Sequence, residues 1–90
     1  MLTWTSNAAV VIRSLIGDSG LSEGSGLRLV IHPQSRSLVM SLAPGPTSHD
    51  DVLTRHGVRV FLDPAAAARL REQTLDARIT GDEQRFFLTT

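Results

Sequence analysis

The most informative stretch of the sequence spans residues 56–68 and reads HGVRVFLDPAAAA. Gly57 supplies the positive φ that a tight hairpin turn requires, and Val58 to Leu62 after it is a strand candidate in which only Arg59 is charged. Asp63-Pro64 is typical of a helix start, because an acidic N-cap precedes a proline in the first helical position. These residues predict a turn, a strand and an alanine-rich helix, Ala65 to Glu72, in direct succession.

Two predicted hairpins flank this stretch. Upstream, Asp51 to Arg55 is expected to pair with the strand that follows the turn. Downstream, Leu75 to Thr80 and Arg85 to Thr89 are expected to pair across a turn at Gly81 to Gln84. The second half of the chain is therefore predicted to consist of one helix between two antiparallel hairpins.

The N-terminal segment predicts a short strand followed by a longer helix. Leu2 to Trp4 is the strand candidate, and Thr5-Ser6-Asn7 after it are favoured N-cap residues. Gly17 is expected to end the helix in the left-handed conformation. We expect both helices of the chain to pack on the same side of the sheet system as core elements. The apolar stripe of the first helix comprises Ala8, Ala9, Ile12, Leu15 and Ile16.

A loop, a third hairpin and a proline-rich break lie between the helices. Asp18 to Gly26 is predicted as the loop, His32 to Arg36 as the hairpin connection and Ala43 to Ser48 as the break. Two strands are predicted, Leu27 to Ile31 and Ser37 to Leu42. Their alternate residues are expected to point inward, namely Leu27, Leu29, Ile31, Leu38, Met40 and Leu42. The order of elements predicts a small single α+β domain over residues 1–90, with about seven mostly antiparallel strands and two helices.

The composition excludes several classes of chemistry. The chain contains no cysteine, which rules out disulfides, thiol catalysis and thiolate ligation of a metal or an iron–sulfur cluster. All nine basic residues are arginine, so a phosphate-loop lysine and Schiff-base chemistry are also excluded. Nine acidic residues balance them, which argues against nucleic-acid binding. No apolar run reaches the about 20 residues of a membrane span, and no leader is evident, so a cytoplasmic location is expected.

One short motif resembles a catalytic signature. Gly20-Leu21-Ser22-Glu23-Gly24 matches the G-x-S-x-G pattern of hydrolase nucleophile elbows. That pattern functions on a strand-to-helix turn of a large α/β sheet, whereas here it falls in a predicted helix-to-strand loop. We therefore interpret Ser22 as a loop residue and predict no catalytic residue in this chain.

Histidines and acidic residues are the remaining candidates for a metal site. His49 precedes Asp50 and Asp51, and His32 or His56 would have to join them in space. Neighbouring residues of a strand point to opposite faces, and no spacing in the chain holds two imidazoles on one face. The sequence predicts no metal-binding residue, and it leaves open whether any of these histidines ever binds a metal.

Two further features concern the surface. Arginines would form a basic strip if the strands that carry them were neighbours, although charge on exposed strands also opposes aggregation. The arginines in question are Arg28, Arg36, Arg55 and Arg59. Phe86 and Phe87 are adjacent, so one is expected in the core with Trp4 and Phe61. The outward phenylalanine is the best indication of a partner surface.

The sequence resembles the HesB/IscA family of A-type iron–sulfur carriers over nearly its whole length. The resemblance implies a HesB-like fold with a sandwich-like or barrel-like core. It is strongest to short, cysteine-free members from high-GC actinobacteria, whose genomes also favour arginine. The segments that carry it are Leu2-Thr3, Ala8-Ala9, Gly26-Leu27-Arg28-Leu29, His56 to Asp63 and Leu75-Asp76.

The sequence departs from this family at the cluster ligands. Carriers of the family present one cysteine in a turn after the Gly-Leu-Arg-Leu strand and two more in a Cys-Gly-Cys tail. The first position falls here at about Ser35 or Arg36, and the sequence reaches Thr90 without such a tail. No ligand residue is carried over, so no cofactor is expected.

Two functions remain after these exclusions. The first is a non-enzymatic HesB-like protein that acts through contacts with an unidentified protein partner, beside iron–sulfur cluster assembly, with a homodimer left open. The alternative is an iron or iron–sulfur carrier that uses non-cysteine or partner-supplied ligands. An enzyme has no nucleophile–base pair to support it.

Overall fold

The computed structural model describes residues 1–90 and contains seven strands and two helices. This content confirms the predicted α+β class. None of the helices has the length and apolarity needed to cross a membrane. In chain order the elements are β1 (Thr3–Trp4), α1 (Ser6–Ser19), β2 (Gly26–Ile31), β3 (Leu38–Ala43), β4 (Asp51–Arg55), β5 (Val58–Leu62), α2 (Pro64–Arg69), β6 (Thr74–Thr80) and β7 (Glu83–Thr89).

The strands form two sheets that share one core and do not close into a barrel. The larger sheet has the order β3-β2-β5-β4, in which the central strands β2 and β5 are parallel and both outer pairs are antiparallel. The smaller sheet has the order β1-β6-β7, with β1 parallel to β6 and β6 antiparallel to β7. Of the sandwich-like or barrel-like core implied by the family resemblance, the structure shows two mixed sheets without a closed barrel.

Both helices belong to the core, as expected from the sequence. Helix α1 packs on β2, β5 and β6, and α2 packs on β2 and β5. Each contributes to a single cluster of buried apolar side chains that draws on both sheets. Members of this cluster are Trp4, Ala8, Ala9, Val11, Ile12, Leu27, Leu29, Val60, Leu62, Ala66 and Leu75.

Side-chain caps set the starts of both helices. The Thr5 hydroxyl oxygen accepts a hydrogen bond from the Ala8 N–H (3.1 Å) and donates one to Asp76 Oδ1 (2.6 Å). The same hydroxyl thus caps α1 and links it to β6. Hydrogen bonds from Thr5 and from the Ala77 N–H lower the pKa of Asp76 below its ordinary value. Asp63 caps α2 by accepting from the Ala66 N–H at 2.7 Å, as the Asp-Pro pair predicts.

Three predicted boundaries are wrong. Helix α1 continues through Gly17 and ends at Gly20, whose φ of +75° provides the left-handed C-cap. Helix α2 ends at Arg69 instead of Glu72, because the chain must reverse before β6 begins beside β1. The last turn contains only Gly81 and Asp82, since a two-residue hairpin lets β7 begin at Glu83.

The hairpin at Gly57 forms as predicted, with positive φ at both turn residues, His56 (54°) and Gly57 (77°). Met40, by contrast, is not buried. It shares a face with the buried Leu29, but β3 lies at the edge of its sheet and leaves Met40 40% exposed.

Candidate functional site

The turn between β2 and β3 occupies the place where the family resemblance expects the first cluster ligand. Its backbone is closed by two hydrogen bonds, from the His32 N–H to the Ser37 carbonyl (2.8 Å) and from the Arg36 N–H to the His32 carbonyl (2.9 Å). Arg36 has a positive φ of 63°. Arg69 of α2 donates a hydrogen bond to the Arg36 carbonyl, which ties the helix to the turn. The turn is therefore an ordered, exposed hairpin loop.

The donor atoms of this turn do not fit an iron–sulfur cluster. A serine hydroxyl and an arginine guanidinium replace a thiolate, and clusters are held chiefly by thiolates. The Nδ1 atom of His32 already accepts hydrogen bonds from the N–H groups of Gln34 (3.2 Å) and Ser35 (3.3 Å). Ser35 Oγ accepts from the Ser37 N–H at 3.3 Å. These side chains stabilise the loop rather than present a ligand set.

The structure does not bring the three histidines together. His32 follows β2 and His56 precedes β5, and because these strands are parallel the two residues lie at opposite ends of the sheet. His49 lies in the segment that connects β3 to β4. No group of three or more His, Cys, Asp or Glu side chains is placed to hold a metal ion.

The G-x-S-x-G segment lies between α1 and β2, and both of its glycines have a positive φ. Gly20 caps the helix, and Gly24 has a φ of +91°. Ser22 lines the largest cleft of the protein, about 550 Å³, together with Glu23, Arg13 and Arg59 among its ten lining residues. No histidine lines this cleft, so Ser22 lacks the imidazole base of the hydrolase triad.

The four arginines considered for a basic strip do not lie together. Arg28 and Arg59 lie on one face of the neighbouring strands β2 and β5. Arg36 belongs to the turn after β2, whereas Arg55 ends β4 beside the turn before β5. Parallel pairing of β2 and β5 places Arg36 and Arg55 at opposite ends of the sheet, so the alternative of a continuous strip does not hold.

Comparison with solved structures gives a consistent answer, whereas no protein-family model and no curated protein matches the sequence. Escherichia coli SufA, a protein described as involved in the biosynthesis of iron–sulfur clusters, superposes with a TM-score of 0.75 at 27% sequence identity. The match covers 98% of this chain and 83% of SufA. The chain has the HesB/IscA fold.

Two other structures with the HesB/IscA fold are similar over the same extent. IscA with a [2Fe-2S] cluster gives a TM-score of 0.75 at 18% identity and covers 99% of this chain and 84% of IscA. A protein from Aquifex aeolicus, solved by NMR, gives a TM-score of 0.72 at 18% identity and covers 99% and 90% of the two chains.

The larger sheet of this HesB/IscA fold has an outer face, opposite the helices, that the sequence did not reveal. Phe61 is fully buried, yet it lies outside the main core cluster, because it points away from its neighbours Val60 and Leu62. Residues 44–50 connect the two edge strands β3 and β4, and they cross this face to do so. A Cβ on Gly26 would lie 3.0 Å from Cε2 of Phe61, which shows how closely the ring packs on β2.

An ion pair links the crossing segment, residues 44–50, to strand β2. Asp50, whose side chain is 1% exposed, pairs with Arg28 on the outer face of β2 and accepts a hydrogen bond from the Thr47 N–H at 2.8 Å. Its Oδ1 atom is buried without a hydrogen-bond partner. Burial raises the pKa of Asp50, but hydrogen bonds from Thr47 and Arg28 outweigh burial and hold the pKa below its ordinary value.

Replacing Asp50 by asparagine should therefore produce a pH-dependent loss of stability. Because the folded state lowers the pKa of Asp50, its stabilising contribution is full above the ordinary value of 3.8 and disappears as the pH falls through the folded value. In urea titrations, Asp50→Asn should lower the free energy of unfolding by about 1–3 kcal/mol at pH 7. The difference from wild type should shrink below pH ~4.

Asp51→Asn is the matched control, because Asp51 is the next residue, is exposed and forms no ion pair. It should change the free energy of unfolding by less than about 0.5 kcal/mol. A stability difference for Asp50→Asn that stays constant from pH 7 to pH 2 would contradict this role of the ionised carboxylate.

The adjacent phenylalanines separate as predicted. Phe86 is half-buried against the core, and Phe87 stands on the opposite face of the smaller sheet with 38% of its surface exposed. The Arg78 guanidinium carbon lies 5.9 Å from the centroid of the Phe87 ring, within cation–π range. Phe87 therefore offers an exposed aromatic group beside a fixed positive charge.

Proposed function

We propose that this protein takes part in iron–sulfur cluster assembly in the cytoplasm through contacts with other proteins, and that it holds no cluster with its own side chains. The proposal is supported by the SufA-like fold combined with serine and arginine at the ligand position. The match to SufA covers 98% of the chain, so the overall shape of a carrier of this type is kept. Ser35 or Arg36 stands where such carriers have their first cysteine ligand. Binding to other proteins does not require a cluster ligand.

Phe87 is the contact residue best supported by the sequence and the structure together. Aromatic residues and arginine are enriched at protein interfaces, and here Phe87 and Arg78 lie side by side on the β6–β7 hairpin. The charged neighbours Asp76 and Arg85 surround it with a polar rim. Such an arrangement is typical of the centre of a transient interface.

A second function has one observation in its favour. Only the Nδ1 atom of the exposed His32 is used by the β2–β3 turn, so its Nε2 atom remains a nitrogen donor in the turn that carries the family's ligand position. An iron–sulfur carrier that takes its thiolates from a partner would use this atom to complete the coordination.

Anaerobic reconstitution with iron and sulfide distinguishes the two functions. We expect the untagged protein to be colourless after desalting and to contain no stoichiometric iron or sulfide, because it lacks thiolate ligands. SufA treated in parallel is the positive control. A brown species that survives desalting in wild type but not in His32→Ala would establish the second function and overturn the first.

A deletion strain tests the role in assembly itself. Loss of the gene should lower the activity of iron–sulfur enzymes in cell extracts, and wild type should restore it. Phe87→Asp should fail to restore it, whereas Val52→Asp, on an equally exposed apolar residue of the other sheet, should succeed. Unchanged enzyme activities in the deletion strain would refute the proposed function.

A further inference from the structure

The largest cleft of the protein lies at one end of the larger sheet, where three segments meet. Strands β2 and β5 are parallel, so the loop before β2 and the turn before β5 lie at the same end. The second half of α1 is the third segment. Of the ten residues that line the cleft, only Ile16 and Val58 are hydrophobic. A cleft of about 550 Å³ with such walls suits a small polar ligand.

Two arginines of the cleft are held in place without a carboxylate partner. Arg13 of α1 donates from Nη2 to the His56 carbonyl (2.7 Å), and Arg59 of β5 donates from Nη1 to the Gly24 carbonyl (3.4 Å). Neither arginine takes part in an ion pair. A guanidinium group has five N–H donors, so each arginine keeps donors for a ligand. Because both side chains are already held, less conformational freedom is lost when a ligand binds.

The loop between α1 and β2 adds backbone donors to the same cleft. The N–H groups of Ser22, Glu23 and Gly24 have no backbone acceptor within the protein. Gly24 has a positive φ of 91°, and successive N–H groups in turns of this kind form anion-binding concavities. Glu23 is the one acidic residue in the lining, so the two arginines leave the cleft with a net positive charge.

We propose that this cleft binds the phosphate group of a small molecule between Arg13 and Arg59. The donors come from α1, from the loop and from β5, so the ligand must accept hydrogen bonds from several directions. A tetrahedral phosphate does so, whereas a carboxylate presents two oxygens in one plane. Guanidinium groups also match phosphate geometry. The cleft lies at the opposite end of β2 from the β2–β3 turn, so the inference goes beyond the proposed function.

Calorimetric titration with inorganic phosphate, in a phosphate-free buffer of low salt, is the direct test. We expect one saturable site, whose affinity falls as sodium chloride is added, because salt screens the charges of an open cleft. Malonate, a dicarboxylate, is the second arm and should bind more weakly than phosphate. Tighter binding of malonate would overturn the assignment to phosphate.

Charge variants locate the binding site. Arg13→Gln and Arg59→Gln should each raise the dissociation constant for phosphate at least ~tenfold, because charge-assisted hydrogen bonds are lost. Arg71→Gln is the matched control, since it removes the same charge from an exposed residue outside the cleft. It should change the constant by less than about twofold. Glu23→Gln should lower the dissociation constant, because it removes the negative charge from the lining.

Arg13 also holds the β4–β5 turn, so urea titration must show that each variant is folded. Should Arg13→Gln fail to fold, Arg59→Gln and Glu23→Gln carry the test. In NMR titrations, the amide signals of Ser22 and Gly24 should shift and saturate with the calorimetric constant. No saturable binding, equal losses in Arg59→Gln and Arg71→Gln, or weaker binding in Glu23→Gln would overturn the inference. Because no iron is present, none of these outcomes bears on the role in cluster assembly.

Discussion

Replacing Phe61 by alanine should lower the free energy of unfolding by about 3–5 kcal/mol, measured by urea titration. The ring is fully buried on the face that segment 44–50 crosses, and it lies outside the main core cluster. The loss should also loosen the crossing segment, so amide exchange at Thr47 and Asp50 should accelerate more than exchange in α1.

Val52→Ala is the control for Phe61→Ala, because Val52 is the partner of Phe61 in the register and shares its face of the sheet. Its side chain is 42% exposed, so truncation should cost less than about 1 kcal/mol. Similar losses for the two variants would show that the outer face is not a separate packed layer.

Replacing Ile12 by alanine should lower the free energy of unfolding by about 2–5 kcal/mol. Ile12 has no exposed surface and joins α1 to both sheets within the core cluster. Because small domains have a total stability of about 5–15 kcal/mol, the variant should be partly unfolded in mild denaturant. Circular dichroism at 222 nm during denaturation measures the change.

The control for Ile12→Ala is Val10→Ala, two residues away on the same helix, where the side chain is 49% exposed. We expect a change within about 0.5 kcal/mol, since alanine also has the higher helix propensity. If Ile12→Ala kept wild-type stability, the apolar stripe of α1 would be available to a partner, and a helix-mediated interface would replace the one proposed at Phe87.

Local residue chemistry accounts for the elements that were predicted correctly. Thr5 and Asp63 cap the helices, and Gly57 adopts the positive φ of the hairpin turn, because each depends on groups within a few residues of the chain. The prediction that α1 ends at Gly17 was wrong because it also rested on a single local residue. A glycine is tolerated inside an exposed helix, and only Gly20, three residues later, meets the geometry of the C-cap.

The candidate site was less accessible to sequence reasoning. The sequence shows directly that the chain has no thiolate and that Leu38 to Ala43 contains no charged residue. That this uncharged strand lies at a sheet edge depends on the order β3-β2-β5-β4, which follows from pairing between distant segments. The Arg28–Asp50 pair spans 22 residues and was likewise missed, although Asp50 had been considered as a metal ligand.

By itself the sequence determined the element order, the exclusion of thiolate chemistry and the residues that cap and turn the chain, because each is a property of short segments. Tertiary structure decided how deeply several of the apolar side chains are buried. Phe61 and Met40 show the difference. Alternation along a strand determines which face of the sheet a side chain occupies, but its burial depends on whether another part of the chain packs on that face. Phe61 is fully buried on the face that segment 44–50 crosses, whereas Met40 lies on an edge strand and is 40% exposed.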